Sequence, residues 1–334
     1  KFLSCGPFKL SSWEHNSSIS MVKNENYWNG MPHLDTIYVK TITDGDTMTM
    51  AMQSGELDAA YGLPYASLPL FENDPYTISS CETSRSFFAQ MNYAAEALQD
   101  DNVRAAIASA IDKENFTSVL LDGNGEVAVG PFPESFTFGD TTVTAETYDP
   151  VKAKELLKNA GWTDTDGDGY VDKNGQKLTI RWVTYPSRQE LPLLAESVQA
   201  TMKDIGIDIQ VNSTANYQDY LDKGDWDIFA GAFVSAPTGD PEYFFTTHCL
   251  DSSTKNRGGY HSDQLENLEK QMAVTFDPAE RATLATQMTQ TILDDHAFVF
   301  ASHLKMSMVS GKGVSGLVAH PSDYYEITAD LDKE

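Results

Sequence analysis

The sequence predicts an α/β fold of two lobes, in which helices flank mixed sheets. The chain has 334 residues, more than the roughly 100–200 residues of a typical single domain. A strand pattern, a helical pattern and a second strand pattern follow one another over residues 178–211, which is the order of a right-handed crossover unit in a parallel sheet. Strand-rich sequence lies on both sides of this central part. We therefore expect residues 1–92 and 301–334 to form part of a first lobe and residues 93–300 to form an inserted second lobe.

The N-terminal part of the chain carries mainly strand patterns. Apolar and polar residues alternate over short stretches, as they do on half-buried strands, and Asn29-Gly30 is a turn signal. A helical pattern begins at Asp46 and stops at Gly55. The predicted elements are strands at 8–10, 19–22, 36–42, 57–61 and 86–93 and a helix at 46–54.

The rest of the chain carries longer helical patterns with recognisable ends. Val103, Ile107 and Ile111 lie four residues apart, so they share one face of a helix that begins near Asp101. Gly161 follows another helical pattern, as glycine often does at a helix C-terminus. The predicted elements are helices at 101–121, 151–160, 190–206, 219–223 and 278–294 and strands at 178–184, 207–211, 226–232, 297–302 and 306–310.

Composition and charge exclude several classes of function. Asp and Glu number 49 against 23 Lys and Arg, which gives a net charge of −26 and leaves little room for a basic face that binds nucleic acid or anionic lipid. No apolar run approaches the ~18 residues that a membrane-spanning helix needs. The first residues, Lys1–Phe8, lack the basic and apolar regions of a signal peptide. We therefore expect no nucleic-acid partner.

One Asp-rich segment resembles the ligand loop of a calcium site. Asp164, Asp166 and Asp168 stand at the first, third and fifth positions of the loop, and Gly169 stands at the sixth. The twelfth position is Gly175 and not the Glu that binds calcium through two oxygens. Two interpretations remain open, a structural calcium site or a hairpin turn rich in Asp and Gly. Neither is the binding site for a functional ligand.

The sequence contains no recognisable catalytic motif. It has neither a G-x-S-x-G nucleophile elbow nor a phosphate-binding Gly-rich loop, and its carboxylates show no catalytic spacing. None of the seven histidines has a close metal-binding spacing. His248 is the best candidate for a metal ligand, because it follows Phe244-Phe245 in a predicted loop and a loop can direct a side chain into a cleft. We predict a protein that is not an enzyme and requires no cofactor.

Ordered segments over nearly the whole chain carry a family resemblance. The segment CGPFKL at 5–10 is similar to G-T-G-P-Y-x-L, with Cys in place of Thr. The other segments are Asn24–Gly30 (NENYWNG), Gln53–Asp58 (QSGELD), Val103–Lys113, Tyr148–Trp162, the Asp-rich turn at 164–169, Trp226–Ile228 and Gly239–Pro241. Together they resemble the family-5 extracellular solute-binding proteins of bacterial ABC transporters, the peptide/nickel type.

The resemblance implies a fold, a role and a location. The fold is the two-lobe periplasmic binding protein-like fold of type II, and the role is that of the substrate-capture component of an ABC importer, which delivers a small-molecule ligand to the permease subunits. Members of the family act outside the cytoplasm, in the periplasm or lipid-anchored on the outer face of the membrane, and we expect a monomer. A signal peptide, the first part of the main lobe and a small extra domain normally precede the CGPFKL segment, so the resemblance implies a C-terminal portion.

The resemblance also suggests a ligand. Peptide-binding relatives often carry an Asp just before the x-D-P segment, where it anchors the peptide ammonium group, but Ala236-Pro237-Thr238 offers no acid. The segment Tyr185–Pro192 is more similar to nickel-type relatives, which bind a metal held by a small chelator. We therefore predict nickel or a nickel chelate in the cleft between the lobes. A short oligopeptide or dipeptide is the alternative.

These implications assign residues to the predicted ligand site. His248 would bind the nickel through its imidazole, and Arg188 would pair with a carboxylate of the chelator. The predicted ligand-binding residues are Tyr185, Arg188, Phe233, Pro237, Thr238, Tyr243 and Asn92.

Overall fold

The computed structural model of the chain describes residues 4–322 and 324–334. The strands are β1 Phe8–Glu14, β2 Ser18–Lys23, β3 Thr36–Lys40, β4 Ala59–Tyr61, β5 Thr77–Met91, β6 Gly125–Val127, β7 Asp172–Lys173, β8 Gln176–Lys177, β9 Thr179–Thr184, β10 Asp208–Ser213, β11 Ile228–Val234, β12 Phe298–Ser310, β13 Val314–Ser315 and β14 Asp332–Lys333. The α-helices are α1 Gly45–Gln53, α2 Asp101–Ser109, α3 Lys113–Asn115, α4 Pro150–Asn159, α5 Glu190–Asp204, α6 Tyr217–Lys223, α7 Glu242–His248, α8 Asp263–Met272 and α9 Pro278–Asp294. Shorter helical turns lie at Tyr65–Phe71, Glu96–Gln99, Phe116–Leu120 and Asp140–Thr142.

The chain divides into two compact units. Unit 1 comprises the described residues up to Cys81 together with Lys305–Glu334, and unit 2 comprises Glu82–Leu304. The chain passes from unit 1 to unit 2 along β5 and returns along β12. The sequence predicts an inserted lobe at 93–300, and this assignment of lobes stays a prediction. Because each strand continues without a break through the boundary, no turn residue marks it in the sequence.

Unit 1 contains an antiparallel sheet in the order β1-β2-β3. The register pairs Phe8 with Lys23 and shifts between Leu10 and Ser12, where one strand has an irregularity. Helix α1 begins after Asp44, whose carboxylate accepts a hydrogen bond from the backbone N–H of Thr47 at 2.7 Å. Such a cap supplies a partner to one of the free N–H groups at the start of the helix.

Unit 2 contains a mixed sheet in the order β10-β9-β11-β5-β12, with β6 paired to β12. Strands β9 and β10 are parallel and are joined by helix α5, so the predicted crossover unit is confirmed. Strand β11 runs parallel to β9 and antiparallel to β5. This sheet carries the residues that form the pocket described below.

An aromatic core supports the pocket from within unit 2. Phe88 of β5 makes edge contacts with Phe244 of α7, at 6.1 Å between ring centres, and with Phe298 of β12, at 5.8 Å. Phe132 contacts Phe244 in the same way at 6.2 Å. Edge-to-face rings at these separations pack favourably, and here they fix the position of helix α7.

Two sequence expectations on secondary structure are wrong, and two helices were missed. The predicted helix 101–121 ends at Ser109, because Asp112 starts a new turn by accepting a hydrogen bond from the N–H of Asn115 at 3.0 Å. The predicted strands 297–302 and 306–310 are one strand, β12. Helices α7 and α8 were not expected, since α7 is short and follows the turn-rich residues 236–241.

Candidate functional site

Unit 2 contains a cavity of ≈ 90 Å³ that is lined by residues of strands β5 and β11 and of helices α6 and α7, by Tyr185 after strand β9, and by Lys255 and Arg257. We call it the unit-2 pocket. Three of the predicted site residues line it, namely Tyr185, Phe233 and His248. The pocket is therefore the place where the structure brings predicted residues together.

Aromatic rings form one wall of the unit-2 pocket. The ring of Tyr217 lies 4.8 Å from that of Tyr185 and stacks on that of Phe229 at 5.6 Å, with 10° between the planes. The backbone N–H of Ala232 donates to the Tyr185 hydroxyl at 3.1 Å, and burial raises the pKa of this tyrosine. The wall is thus a neutral, largely apolar surface suited to a planar or apolar part of a ligand.

His248 lies at the end of helix α7 and not in the predicted loop. Its ring is 4.3 Å from the Phe233 ring and stacks on Phe244 at 4.9 Å. Burial and then the positive charge of Lys255 lower the pKa of His248 to about 3, while the Phe244 carbonyl acts in the opposite direction. The Nδ1 atom is buried and meets no partner with hydrogen-bond geometry among the described residues. His248 is therefore a neutral imidazole at physiological pH.

Two basic residues complete the lining of the unit-2 pocket. The Lys255 ammonium lies 4.1 Å from the centre of the Phe233 ring, a cation–π distance. The Arg257 guanidinium donates from Nη2 to Oε1 of Gln218 at 3.0 Å. Burial and the neighbouring Arg257 charge lower the pKa of Lys255. The pocket is therefore locally positive in a chain whose net charge is −26.

The other predicted ligand-binding residues lie outside the lining of the pocket. Tyr243 stacks on Phe233 at 5.6 Å, Pro237 and Thr238 form the turn before α7, and Arg188 is close enough to lower the pKa of Tyr185. The amide of Asn92 is buried, and it donates to the Trp226 carbonyl at 2.8 Å and accepts from the N–H of Ala94 at 3.0 Å. Asn92 therefore holds the backbone together at the end of β5.

Asp240, in the Gly239-Asp240-Pro241 segment, has a structural partner. Arg281 of helix α9 donates to both carboxylate oxygens of Asp240 at 2.8 Å and to Glu242 at 2.8 Å. The same guanidinium donates to the carbonyls of Met272 and Thr275 at 2.8 Å each. Because Asp240 is paired with Arg281, this carboxylate is not available to bind a ligand ammonium group.

The Asp-rich turn brings together a different set of carboxylates from the one predicted. Oxygens of Asp164, Asp166 and Asp172 lie within 4.8 Å of one another. Asp168 instead accepts from the N–H of Tyr170 at 2.8 Å and lies 3.6 Å from the Lys177 ammonium. Asp172 also accepts from the N–H of Thr165 at 2.8 Å, which closes the turn. The calcium site at Asp164, Asp166 and Asp168 stays a prediction.

A Ser–His–Asp arrangement in the core of unit 2 is structural. Ser86 Oγ lies 2.9 Å from Nδ1 of His303, and Nε2 of His303 lies 2.9 Å from the Asp140 carboxylate. In a serine protease the serine meets Nε2 and the aspartate meets Nδ1, which is the reverse. Ser86 is fully buried, and its hydroxyl donates to the Pro131 carbonyl at 2.7 Å. A substrate cannot reach this hydroxyl, so the arrangement gives no hydrolase site.

Sequence reasoning missed most of the pocket. The unexpected lining residues are Phe88, Gln90, Tyr217, Phe229, Gly231, Ala232, Lys255 and Arg257. Lys255 and Arg257 had a visible signal, because two basic residues precede the Gly258-Gly259 turn in a strongly acidic chain. The aromatic residues had none, since aromatic residues on strands are ordinary core residues.

Curated proteins of similar sequence include an oligopeptide-binding and a nickel-binding protein. The chain is 28% identical to the oligopeptide-binding protein AppA of Bacillus subtilis over 338 residues, which cover 98% of the chain and 61% of AppA. It is 24% identical to the nickel-binding protein NikA of Staphylococcus aureus, with 96% of the chain and 64% of NikA covered. The chain thus spans a little over 60% of the length of these curated relatives.

Solved structures give the same fold. The structure of S. aureus NikA in complex with Ni(L-His)2 has a TM-score of 0.86 at 23% identity, with 99% of this chain and 69% of that one covered. The B. subtilis AppA structure with a nonapeptide has a TM-score of 0.86 at 24% identity, with 98% and 66% covered. These likenesses confirm the predicted fold class.

Two further findings bear on identity. Among the residues that the structure describes, no helix has the length and apolar character needed to span a membrane. The family model for bacterial extracellular solute-binding proteins, family 5 Middle, matches residues 1–256, about three quarters of the 334-residue chain. The predicted family resemblance is confirmed, and the chain belongs to the family-5 bacterial extracellular solute-binding proteins.

Proposed function

We propose that this chain is part of the substrate-capture component of an ABC importer and that its unit-2 pocket binds a nickel chelate. The family description and the nickel-binding relative support the proposal. The protein would act as a monomer outside the cytoplasmic membrane, in the periplasm or held by a lipid anchor, and would deliver its ligand to the permease subunits. The ligand would leave chemically unchanged, because the protein binds and does not catalyse.

The state of His248 carries the proposal. A metal ion binds a neutral imidazole, and imidazole nitrogen suits nickel. The pKa of His248 is about 3, so a proton does not compete with the metal at physiological pH. The Phe244 carbonyl acts on this imidazole, but Nδ1 has no partner with hydrogen-bond geometry among the described residues, and a buried polar atom without such a partner costs free energy that a ligand can recover.

The basic residues of the pocket favour a chelate over the bare ion. Lys255 and Arg257 line the same cavity as His248, and their positive charges repel a divalent cation. A chelator with carboxylate groups reverses the sign of the interaction, because it surrounds the metal with negative charge. We therefore expect nickel held by an amino acid such as histidine to bind more tightly than hydrated nickel.

A short peptide is the alternative ligand. The rings of Tyr185, Tyr217 and Phe229 offer a surface for an apolar side chain, and the relative AppA is an oligopeptide-binding protein. However, no acidic residue lines the pocket in the described part of the chain, and Asp240 is paired with Arg281. A peptide ammonium group would therefore have no counter-charge there.

Isothermal titration calorimetry on the full-length protein tests the proposal. The titrants are nickel chloride, nickel with L-histidine, and a panel of di- and tripeptides. We expect saturable heat with nickel–histidine, a much weaker signal with nickel chloride, and a loss of at least about tenfold in affinity in His248→Gln. His15→Gln is the control, because His15 is exposed in unit 1.

The folding of the variants is checked by circular dichroism and by the midpoint of thermal unfolding. If peptides give saturable heat and nickel–histidine gives none, the ligand is a short peptide and not a nickel chelate. Equal affinities of His248→Gln and wild type for nickel–histidine would show that His248 is not a ligand of the metal.

A further inference from the structure

The connection between helices α8 and α9 exposes two apolar side chains. Phe276 is 87% exposed and Val274 is 72% exposed. No large apolar side chain in the described part of the chain is more exposed than Phe276. Single apolar residues on a surface are ordinary, but here two of them lie within one short segment, residues 274–276, which we call the apolar tip.

Hydrogen bonds fix the backbone of the apolar tip. The N–H of Val274 donates to the Gln271 carbonyl at 3.2 Å. The N–H of Thr275 donates to the Met272 carbonyl at 3.1 Å, and the Thr275 hydroxyl donates to the Gln271 carbonyl at 2.7 Å. Arg281 donates to the carbonyls of Met272 and Thr275. A segment that is already ordered loses little conformational entropy when a partner binds to it.

Arg281 also connects the apolar tip to a wall of the unit-2 pocket. The same guanidinium donates to Asp240 and to Glu242 at 2.8 Å each. Glu242 is the first residue of α7 and His248 is its last, and His248 lines the pocket. Hydrogen bonds therefore hold the apolar tip against the helix that carries a pocket residue.

The surroundings of the apolar tip are negative. Asp277 and Glu280 follow the tip at the start of α9, and both are exposed. Burial, and then the charges of Glu242 and Glu266, raise the pKa of Glu269 in α8, so carboxylates are crowded on this side of unit 2. Such a surface repels anionic lipid and a second copy of a chain whose net charge is −26, whereas it attracts a basic surface.

We propose that the apolar tip is a docking site for a permease subunit that presents an apolar pocket with basic residues at its rim. A phenylalanine that enters such a pocket buries about 150–250 Å², and buried aromatic anchors supply much of the binding free energy of an interface. The flanking carboxylates suit the polar rim, where complementary charges speed association and fix its orientation. The docking site rests on the proposed function in one respect, that an ABC permease receives the solute from this protein.

Surface plasmon resonance on the full-length protein tests the docking site. The permease and ATPase subunits of the same importer are reconstituted in phosphatidylcholine nanodiscs, and nanodiscs of phosphatidylglycerol without transporter report binding to anionic lipid. Wild type is compared with Phe276→Ser, Val274→Ser and Glu280→Lys. Val151→Ser is the matched control, because Val151 lies on α4 and is 69% exposed. Circular dichroism and the midpoint of thermal unfolding check that each variant is folded.

We expect Phe276→Ser to weaken binding to the transporter at least about tenfold. Val274→Ser should weaken it less, since it removes less apolar surface. Glu280→Lys and added sodium chloride should both weaken binding, because each reduces the attraction between unlike charges. Val151→Ser should bind as wild type does.

Three results would overturn the docking site. The first is equal binding of Phe276→Ser and wild type to the transporter. The second is binding of wild type to the phosphatidylglycerol nanodiscs as tight as its binding to the transporter, which would make the tip a membrane contact. The third is a dimer of wild type in analytical ultracentrifugation that Phe276→Ser abolishes, which would make the tip a contact between two copies of the chain.

The outcomes separate the docking site from the proposed function. Binding to the transporter that Phe276→Ser leaves unchanged keeps the importer role and removes only the docking site. Wild type that does not bind the transporter removes both. Binding that depends on Phe276, without heat from nickel–histidine, keeps the docking site and removes the nickel chelate as the ligand.

Discussion

Nε2 of His303 lies 2.9 Å from the carboxylate of Asp140, and the two side chains are 1% and 10% exposed. The same carboxylate accepts from the backbone N–H groups of Val129, at 3.0 Å, and Gly130, at 2.7 Å. Asp140 thereby ties the segment after β6 to strand β12. Only a side chain with two acceptor oxygens satisfies all three donors, so a carboxylate is needed at this position.

Replacement of this carboxylate should destabilise the protein. In Asp140→Asn one of the three donors would face an amide N–H group, so we expect the free energy of unfolding to fall by about 2–4 kcal/mol. Urea unfolding followed by circular dichroism measures the change. Asp225→Asn is the matched control, because the Asp225 side chain is 61% exposed. Similar losses in both variants would contradict a special role of the buried carboxylate.

Lys113 should make the stability rise with pH on the alkaline side. Burial lowers the pKa of Lys113 from 10.5 to about 8, with Asp140 acting in the opposite direction. Between these values the unfolded chain holds a proton that the folded chain has released, so the free energy of unfolding increases with pH. The increase due to this group is about 3 kcal/mol at most.

Urea unfolding at pH 7.5, 9 and 10 measures this dependence for wild type and for Lys113→Met. We expect the rise from pH 7.5 to 10 to be smaller in Lys113→Met than in wild type. Lys270→Met, which changes an exposed lysine, should keep the wild-type slope. If the free energy of unfolding rises equally with pH in Lys113→Met and in wild type, burial does not lower the pKa of Lys113 in the folded protein.

His248 should have an effect of the same sign on the acid side. Its pKa is lowered from 6.5 to about 3, so between these values the unfolded chain binds a proton that the folded chain does not. The free energy of unfolding therefore falls as the pH drops from 6.5 towards 3, by about 5 kcal/mol at most from this group. The fall should be shallower in His248→Gln than in wild type and in His15→Gln, as urea midpoints at pH 7, 5.5 and 4.5 would record.

Two adjacent glycines after Arg257 should respond differently to substitution. A Cβ atom on Gly258 would lie 2.0 Å from the carbonyl oxygen of Met91, whereas one on Gly259 would meet nothing within 4 Å. Gly259 has a φ of +67°, so Gly259→Ala should cost only about 1–2 kcal/mol of backbone strain. Gly258→Ala should cost about 3 kcal/mol or more, because backbone must move. Chemical denaturation of both variants compares them, and equal losses would count against this close approach.

The sequence identified those parts of the fold that local patterns determine. The β9–α5–β10 unit is correct because a strand pattern, a helical pattern and a second strand pattern follow one another within residues 178–213. The break after α2 was missed, since Val103, Ile107 and Ile111 continue the helical spacing past the point where Asp112 starts a new turn. The apolar spacing favours a continuous helix, whereas the capping side chain of Asp112 favours a new start. The sequence pattern alone does not show which of the two prevails.

The candidate site also combines residues that the sequence predicts with residues that it does not. Tyr185 and Phe233 were predicted through the family resemblance, and they lie on or directly after strands that the sequence pattern also indicates. Gln90 and Lys255 were missed, because they are 165 residues apart and only the folding of unit 2 brings the Gln90 amide to the Lys255 carbonyl. No pattern within a short window reports such a contact.

The ends of unit 2 lie next to each other. The hydroxyl of Thr83 donates to the carbonyl of Leu304 at 2.9 Å, although 222 of the chain's residues fill the span from Thr83 to Leu304. A segment whose ends are close together can be inserted into a loop of another protein through two junctions. The ends of the recipient loop would not have to move apart. Unit 2, with its pocket, is therefore arranged as a cassette that gene recombination or protein engineering can exchange as one piece.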